Sequence, residues 1–187
     1  STPLYSSAAS DVYKRQELKE EKKFFQLGVS NFSAWQIMKS KAIADKYGFP
    51  NVDILQPMYN LVKRQAEVEI LPMAKSEDIG VISYSPLGGG LLTGKYSKEV
   101  NTTNKNSSGR LHDNEKYKLR YGQNWMYEAA NNLQKIAQDL NHDPIALAVA
   151  WVSYNDAITA PIISARNLKQ LNPSLAVSYT HLRAHET

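Results

Sequence analysis

The 187-residue chain contains no cysteine. That absence removes disulfides, thiolate zinc sites and a cysteine nucleophile together. Long apolar runs are missing too, since none approaches the ~20 residues a membrane span requires. The opening residues do not read as a secretory signal. Charge of one sign is not concentrated either. The net charge is only +4, and Lys63 and Arg64 are followed closely by Glu67 and Glu69. The basic stripe expected of a nucleic-acid binder is therefore not seen. His112 and His142 stand alone, without the spacing of metal ligands. With 42% apolar and 21% charged residues, the composition is that of a globular chain rather than a disordered one. These absences leave a soluble protein, expected in the cytoplasm, without a nucleic-acid, membrane or metal partner.

The two ends read as processing scars rather than native protein. Residues 6–16 (SSAASDVYKRQ) and 177–187 (VSYTHLRAHET) back-translate to a transposase-type sequencing adapter and its opposite strand. The reverse complement of the DNA for DVYKRQ, read one frame over, encodes VSYTH. The expected organisation is an adapter-derived tail over 1–16, an authentic segment over 17–176, and a second adapter-derived tail over 177–187.

Within the authentic segment, residues 25–29 (FQLGV) form a short apolar run expected to be a buried strand. Ser33 offers an N-cap, with Gln36 three residues on to complete a capping box. Trp35, Met38, Ala42 and Ile43 follow at helical spacing until Gly48 and Pro50 stop the helix. The pattern repeats with a strand over 52–55, a helix over 66–75 and a strand over 80–84 (GVISY). Residues 86–123 then read as one long polar loop. Helices are expected over 124–140 and over 144–154, the second with Asp143 as cap and Pro144 at its first position. Residues 158–163 (ITAPII) give a fourth strand, against which Pro161 is a mild objection, and a further helix begins near Asn167.

Continuous apolar strands alternating with helices imply an α/β fold with a parallel sheet covered on both faces. Four βα units fit part of an open doubly wound sheet, or half of a barrel that needs about 250 residues when complete. Each strand ends in polar residues: Ser30 and Asn31, Gln56, Tyr84 and Ser85, and Ser164. In a barrel these would meet at the C-terminal rim, where that fold keeps its active site.

Four segments in order, GVSNF (28–32), LQPMYNLVKRQAEVE (55–69), YSPLGGGLLTGKY (84–96) and PIISARNLKQL (161–171), resemble the C-terminal half of an aldo-keto reductase. The resemblance covers nearly all of residues 17–176. It implies the C-terminal half, about four βα units, of a (β/α)8 TIM barrel. It also implies an oxidoreductase that binds NADP(H) across its rim and reduces aldehydes or ketones to alcohols. Residue by residue, it implies that Ser30, Asn31 and Gln56 hydrogen-bond the nicotinamide carboxamide, for which Asn and Gln each supply a donor and an acceptor. Tyr84 would lie flat against the nicotinamide ring. The stretch Ser85, Pro86, Leu87, Gly88 and Gly89 would contact the pyrophosphate, glycine allowing backbone N–H groups to converge on an anion. Lys95 and Arg110 would add positive charge there. Ser164, Arg166 and Gln170 would hold the adenosine 2′-phosphate and adenine, and a planar guanidinium favours NADP over NAD. Ser164 stands where the family commonly has Gly, and Pro173 and Ser174 stand where Glu and Asn often contact adenine.

The family's proton-transfer set is a Tyr, a Lys, a His and an Asp from the first half of the barrel. Tyr59 and Lys63 have helical spacing but the wrong context, so no catalytic residue is assigned. The expectation is a fragment of an NADP-dependent carbonyl reductase that keeps most of the cofactor grip and is itself inactive. Two rivals remain open. One is a non-catalytic NADP-binding subunit resembling potassium-channel β subunits, and the other is an unrelated half-barrel binding module.

Overall fold

The computed structural model describes residue 14 and residues 16–96 and 109–176, with the side chains of Arg110 and His112 excepted. Both tails, apart from residues 14 and 16, and residues 97–108 of the long loop lie outside the described residues.

Four parallel strands form one sheet in the order β1-β2-β3-β4: β1 (Gly28–Ser30), β2 (Ile54–Gln56), β3 (Gly80–Ser83) and β4 (Ala160–Pro161). Gly28 pairs with Ile54 and Ser30 with Gln56, Ile54 pairs with Gly80, and Ile82 with Ala160. A doubly wound sheet reverses its strand order at a switch point, and no reversal occurs here. Sequential parallel strands joined by crossovers of one hand carry their helices on one side. One core accordingly joins Leu55 and Val81 of the sheet to Ile37, Leu71, Ala74 and Val152 of three helices. The opposite face, with Ile54, Gln56 and Ile82, is only half-buried. The doubly wound alternative is thus set aside. This is the arrangement of a partial (β/α)8 barrel, in which the second face is covered by opposing strands rather than helices.

Helix α1 (Ala34–Tyr47) starts after Ser33, whose N–H donates to Gln36 Oε1 at 3.0 Å, and ends at Gly48 with φ 68°. Its buried residues are Ala34, Ile37 and Ala44, while Trp35 is 63% exposed. Trp35 and Ile43, which follow at helical spacing, lie on the exposed side. Apolar side chains ring this helix, so the sheet chooses which of them to bury. The second helix, α2, spans Ile70–Ser76 after a 3-10 turn at Gln65–Glu67, and is not the continuous 66–75 helix expected. Pro72 explains the break. A helix begun at residue 66 would hold it in the interior, whereas one begun at Ile70 holds it in the first turn, where its missing N–H costs nothing.

Residues 86–123 are not a simple loop. A 3-10 segment spans Gly88–Thr93, and α3 (Arg110–Asp113) and α4 (Glu115–Tyr121) follow. Leu91, Leu92, Leu111 and Tyr121 are buried there against Met126 and Leu133 of α5 (Asn124–Asp139), forming a second core. Helices this short are held by tertiary packing rather than propensity, and their few apolar anchors leave no readable period. Helix α6 (Pro144–Ser153) is capped by Asp143, whose side chain accepts from the Ile145 N–H at 2.7 Å.

The strands are also displaced from expectation. Phe25 is 88% exposed, and β1 begins only where Ile54 offers a partner. At β4 the Thr159 N–H donates to Val81 O, and the next donor, to Ser83 O, is Ile162 at 2.7 Å. Proline at 161 has no N–H to give, which cuts the strand to two residues.

Candidate functional site

All four strands run the same way, so their C-terminal ends share one rim. The β1–β2 register sets Ser30 opposite Gln56, and the Ser30 hydroxyl donates to the Gln56 carbonyl at 2.8 Å. Beyond Ser30 the chain turns through Asn31 at φ 59°, a left-handed conformation that asparagine tolerates better than most residues. Beyond β3, Tyr84 bridges to Met58, and its hydroxyl donates to Asn31 Oδ1 at 2.8 Å. That bond spans β2, because β1 and β3 are not neighbours. Asn31 and Tyr84 therefore close over the end of the strand that carries Gln56. Among the described residues, Asn31 Nδ2 and both polar atoms of the Gln56 side chain have no hydrogen-bond partner. This rim offers an unpaired donor beside an unpaired amide, next to a half-buried aromatic ring.

The next turn is held from beneath. Ser85 has φ 59°, and its carbonyl accepts from Asn60 Nδ2 at 2.9 Å. Asn60 is fully buried, and its Oδ1 accepts from the Val62 N–H at 3.1 Å. The Tyr121 hydroxyl lies within 3.4 Å of Asn60 Nδ2 and donates to Met58 Sδ at 3.3 Å. Burial pushes the Tyr121 pKa up.

The glycines serve packing at least as much as openness. Gly88 N–H donates to Ser85 O and Gly90 N–H to Leu87 O, so those two donors are engaged inside the turn rather than turned to an anion. Gly89 has φ 67°, and a Cβ there would sit 2.7 Å from Tyr117 Cδ1. Pro86 and Gly88 are buried and Leu87 packs on the second core, so a ligand would meet this stretch through its backbone. Lys95 folds back toward the same glycines, with Cε 3.0 Å from a Cβ at Gly90 and Nζ 4.9 Å from the Tyr96 ring centroid.

Ser164, Arg166 and Gln170 follow β4 and are exposed. Gln170 Oε1 accepts from the Arg166 N–H at 3.1 Å while Asn167 Oδ1 accepts from the Gln170 N–H at 3.0 Å, which starts α7 (Leu168–Leu175). Gln170 thus has a structural duty that the sequence reading did not give it. Ser174 lies buried in α7 behind Pro173. Hydrogen bonds pair Ser30 with Gln56 and Tyr84 with Asn31, and the chain itself joins Ser30 to Asn31, so the four form one group. None links Ser164, Arg166 or Gln170 to that group among the described residues, although they leave the same end of the sheet. Arg110 heads α3, and its side chain lies outside the described residues.

A second polar cluster was missed. Tyr59 is 1% exposed and stacks on Trp151 at 5.1 Å between ring centroids. Its hydroxyl donates to Glu67 Oε1 at 2.6 Å and accepts from Asn155 Nδ2 at 3.1 Å. Arg64 grips Glu67 through Nε and Nη2, and its hydrogen bond holds the Glu67 carboxyl below the usual range. Burial, with Glu67 beside it, pushes the Tyr59 pKa up to about 12. A hydroxyl so engaged keeps its proton near neutral pH and spends it on Glu67. Among the described residues no group of His, Asp and Glu could hold a metal, and no helix is long and apolar enough to cross a membrane.

An uncharacterized oxidoreductase YrpG of Bacillus subtilis is 34% identical over 149 residues, covering 80% of this chain and 42% of the relative. Aflatoxin B1 aldehyde reductase member 2 of Rattus norvegicus is 30% identical over 175 residues, covering 87% and 47%. A probable voltage-gated potassium channel subunit beta of Arabidopsis thaliana is 30% identical over 160 residues, covering 81% and 46%. The chain thus spans about half the length of these curated relatives. The profile of the aldo/keto reductase family matches residues 16–187, and the chain belongs to that family.

Proposed function

We propose that this chain is the cofactor-gripping part of an NADP(H)-dependent aldo-keto reductase that converts aldehydes or ketones to alcohols. The observation that carries the proposal is the Tyr84–Asn31 hydrogen bond over the end of β2. It sets an amide donor, the Gln56 amide and an aromatic face at one rim. That donor set suits a ring bearing a carboxamide. Asn31 and Gln56 would hold the carboxamide and so select which face of the ring looks toward substrate, a positioning role. Tyr84 would supply flat contact area. Lys95, with the backbone of Ser85, Leu87 and Gly89, would meet the pyrophosphate, and Arg110 would add charge. Exposed Arg166, with Ser164 and Gln170, would meet the 2′-phosphate as a planar two-point donor. Once bound, the dihydronicotinamide supplies the hydride. No residue of this chain is assigned the proton donation that carbonyl reduction also needs. A cytoplasmic location and a small carbonyl substrate go with this reading.

The test is fluorescence titration of the full chain with NADPH and NADH, followed by an aldehyde assay. Saturable binding that favours NADPH, without turnover, is expected, and Arg166→Ala should erase the preference. Turnover by the isolated chain, or no nucleotide binding at all, would refute the proposal. A second reading, a regulatory NADP-binding subunit, is favoured by the potassium-channel relative and predicts the same binding. The two part on whether the whole protein carries a Tyr and Lys for proton transfer.

A further inference from the structure

The Tyr84 hydroxyl has a role separate from that of its ring. Its bond to Asn31 Oδ1 is 2.8 Å long, and a tyrosine hydroxyl has a single proton to donate. With that proton on Oδ1, the carboxamide of Asn31 is held in one of its two orientations, and Nδ2 is left as the unengaged end. Without such a partner an amide turns freely and presents its oxygen as readily as its nitrogen. The backbone at Asn31, at φ 59°, already sets where the side chain leaves the chain. The hydroxyl then settles which atom faces outward.

We infer that Tyr84 is a positioning residue whose hydroxyl orients Asn31 so that the rim offers an N–H donor to a carbonyl oxygen, leaving Gln56 to meet the amino side of the same group. This deepens the cofactor reading and rests on it. The ring of Tyr84 and its hydroxyl are therefore separable by substitution.

The experiment titrates the full chain, its Tyr84→Phe variant and its Asn31→Asp variant with two probes, NADPH and 2′,5′-ADP, the latter lacking the nicotinamide. Tyr84→Phe keeps the aromatic face and loses the orienting proton. Asn31→Asp keeps an acceptor for the Tyr84 hydroxyl and loses the outward donor. Both variants are expected to bind NADPH about fivefold to tenfold more weakly, as one lost hydrogen bond of about 1–1.4 kcal/mol would give, and 2′,5′-ADP within twofold of the parent. Thermal unfolding of each variant checks that the fold is kept. Equal NADPH affinity in Tyr84→Phe overturns the inference. So does an equal loss for both probes, which would mark a general structural effect, or an Asn31→Asp variant that binds NADPH as the parent does. If the parent chain binds 2′,5′-ADP and not NADPH, the nicotinamide subsite is wrong. If it binds neither, the cofactor reading falls and takes this inference with it.

Discussion

Tyr59 and Tyr84 sit on consecutive βα units, and the protein uses them in opposite ways. Tyr59 is buried, stacked on Trp151, and bonded through its hydroxyl to both Glu67 and Asn155. Tyr84 stands at the rim with its hydroxyl on Asn31, whose remaining polar end is unengaged among the described residues. The comparison teaches how to tell a polar group that holds the fold from one that awaits a ligand. Inside, every unmade hydrogen bond costs the desolvation of its group, so side chains such as Tyr59 and Asn60 are engaged at each polar atom. At the rim, water can stand in until something else arrives. Ser83 is an interior exception among the described residues, since its Oγ is buried at the end of β3 without a partner.

The contrast can be broken by substitution. Tyr59→Ala should have the largest effect, about 3–5 kcal/mol of stability lost with the cavity left beside Trp151, measured by urea unfolding. A loss below about 1 kcal/mol would mean the cluster is not structural. Next comes alkaline pH. The folded pKa of Tyr59, about 12, lies above the unfolded value of ~10. Its contribution is therefore complete below pH ~10 and lost as pH rises toward 12, by roughly 2–3 kcal/mol at most. Urea unfolding at pH 9 and 11.5 should show the parent losing more than Tyr59→Phe, which has no proton to lose there. Asn60→Ala should cost about 1–3 kcal/mol by stranding the Ser85 carbonyl and the Val62 N–H, and should loosen the Ser85 turn. The smallest effect belongs to the rim. Asn31→Gly, at a position whose φ of 59° suits glycine, should change stability by less than about 0.5 kcal/mol while weakening NADPH binding. Equal stability losses at Asn60 and Asn31 would erase the distinction between interior and rim.

Much of the fold was legible because local signals act over one or two turns. The Ser33 and Gln36 capping box, Gly48 at a left-handed C-cap, and Asp143 before Pro144 all sit where expected. The polar residues closing each strand were equally visible, and their common rim followed once the strands were parallel. What was hidden depended on distant partners. Leu111 and Tyr121 look like isolated apolar residues in a polar stretch, and only α5 shows that they are core. Asn60 was in view inside MYNLV, where a lone amide among apolar neighbours was the available signal. Its partner at Ser85 lies 25 residues away.

By itself, the sequence determined the order of the four strands and the longer helices, the caps at Ser33, Gly48 and Asp143, and the chemistry waiting at each strand end, because those depend on contacts a few residues apart. Only the tertiary structure decided which side of α1 is buried, where β1 begins, and that Tyr84 reaches Asn31 across 53 residues of chain. Pairing and burial take their free energy from whatever lies alongside in space, and a linear string of residues does not contain that neighbour.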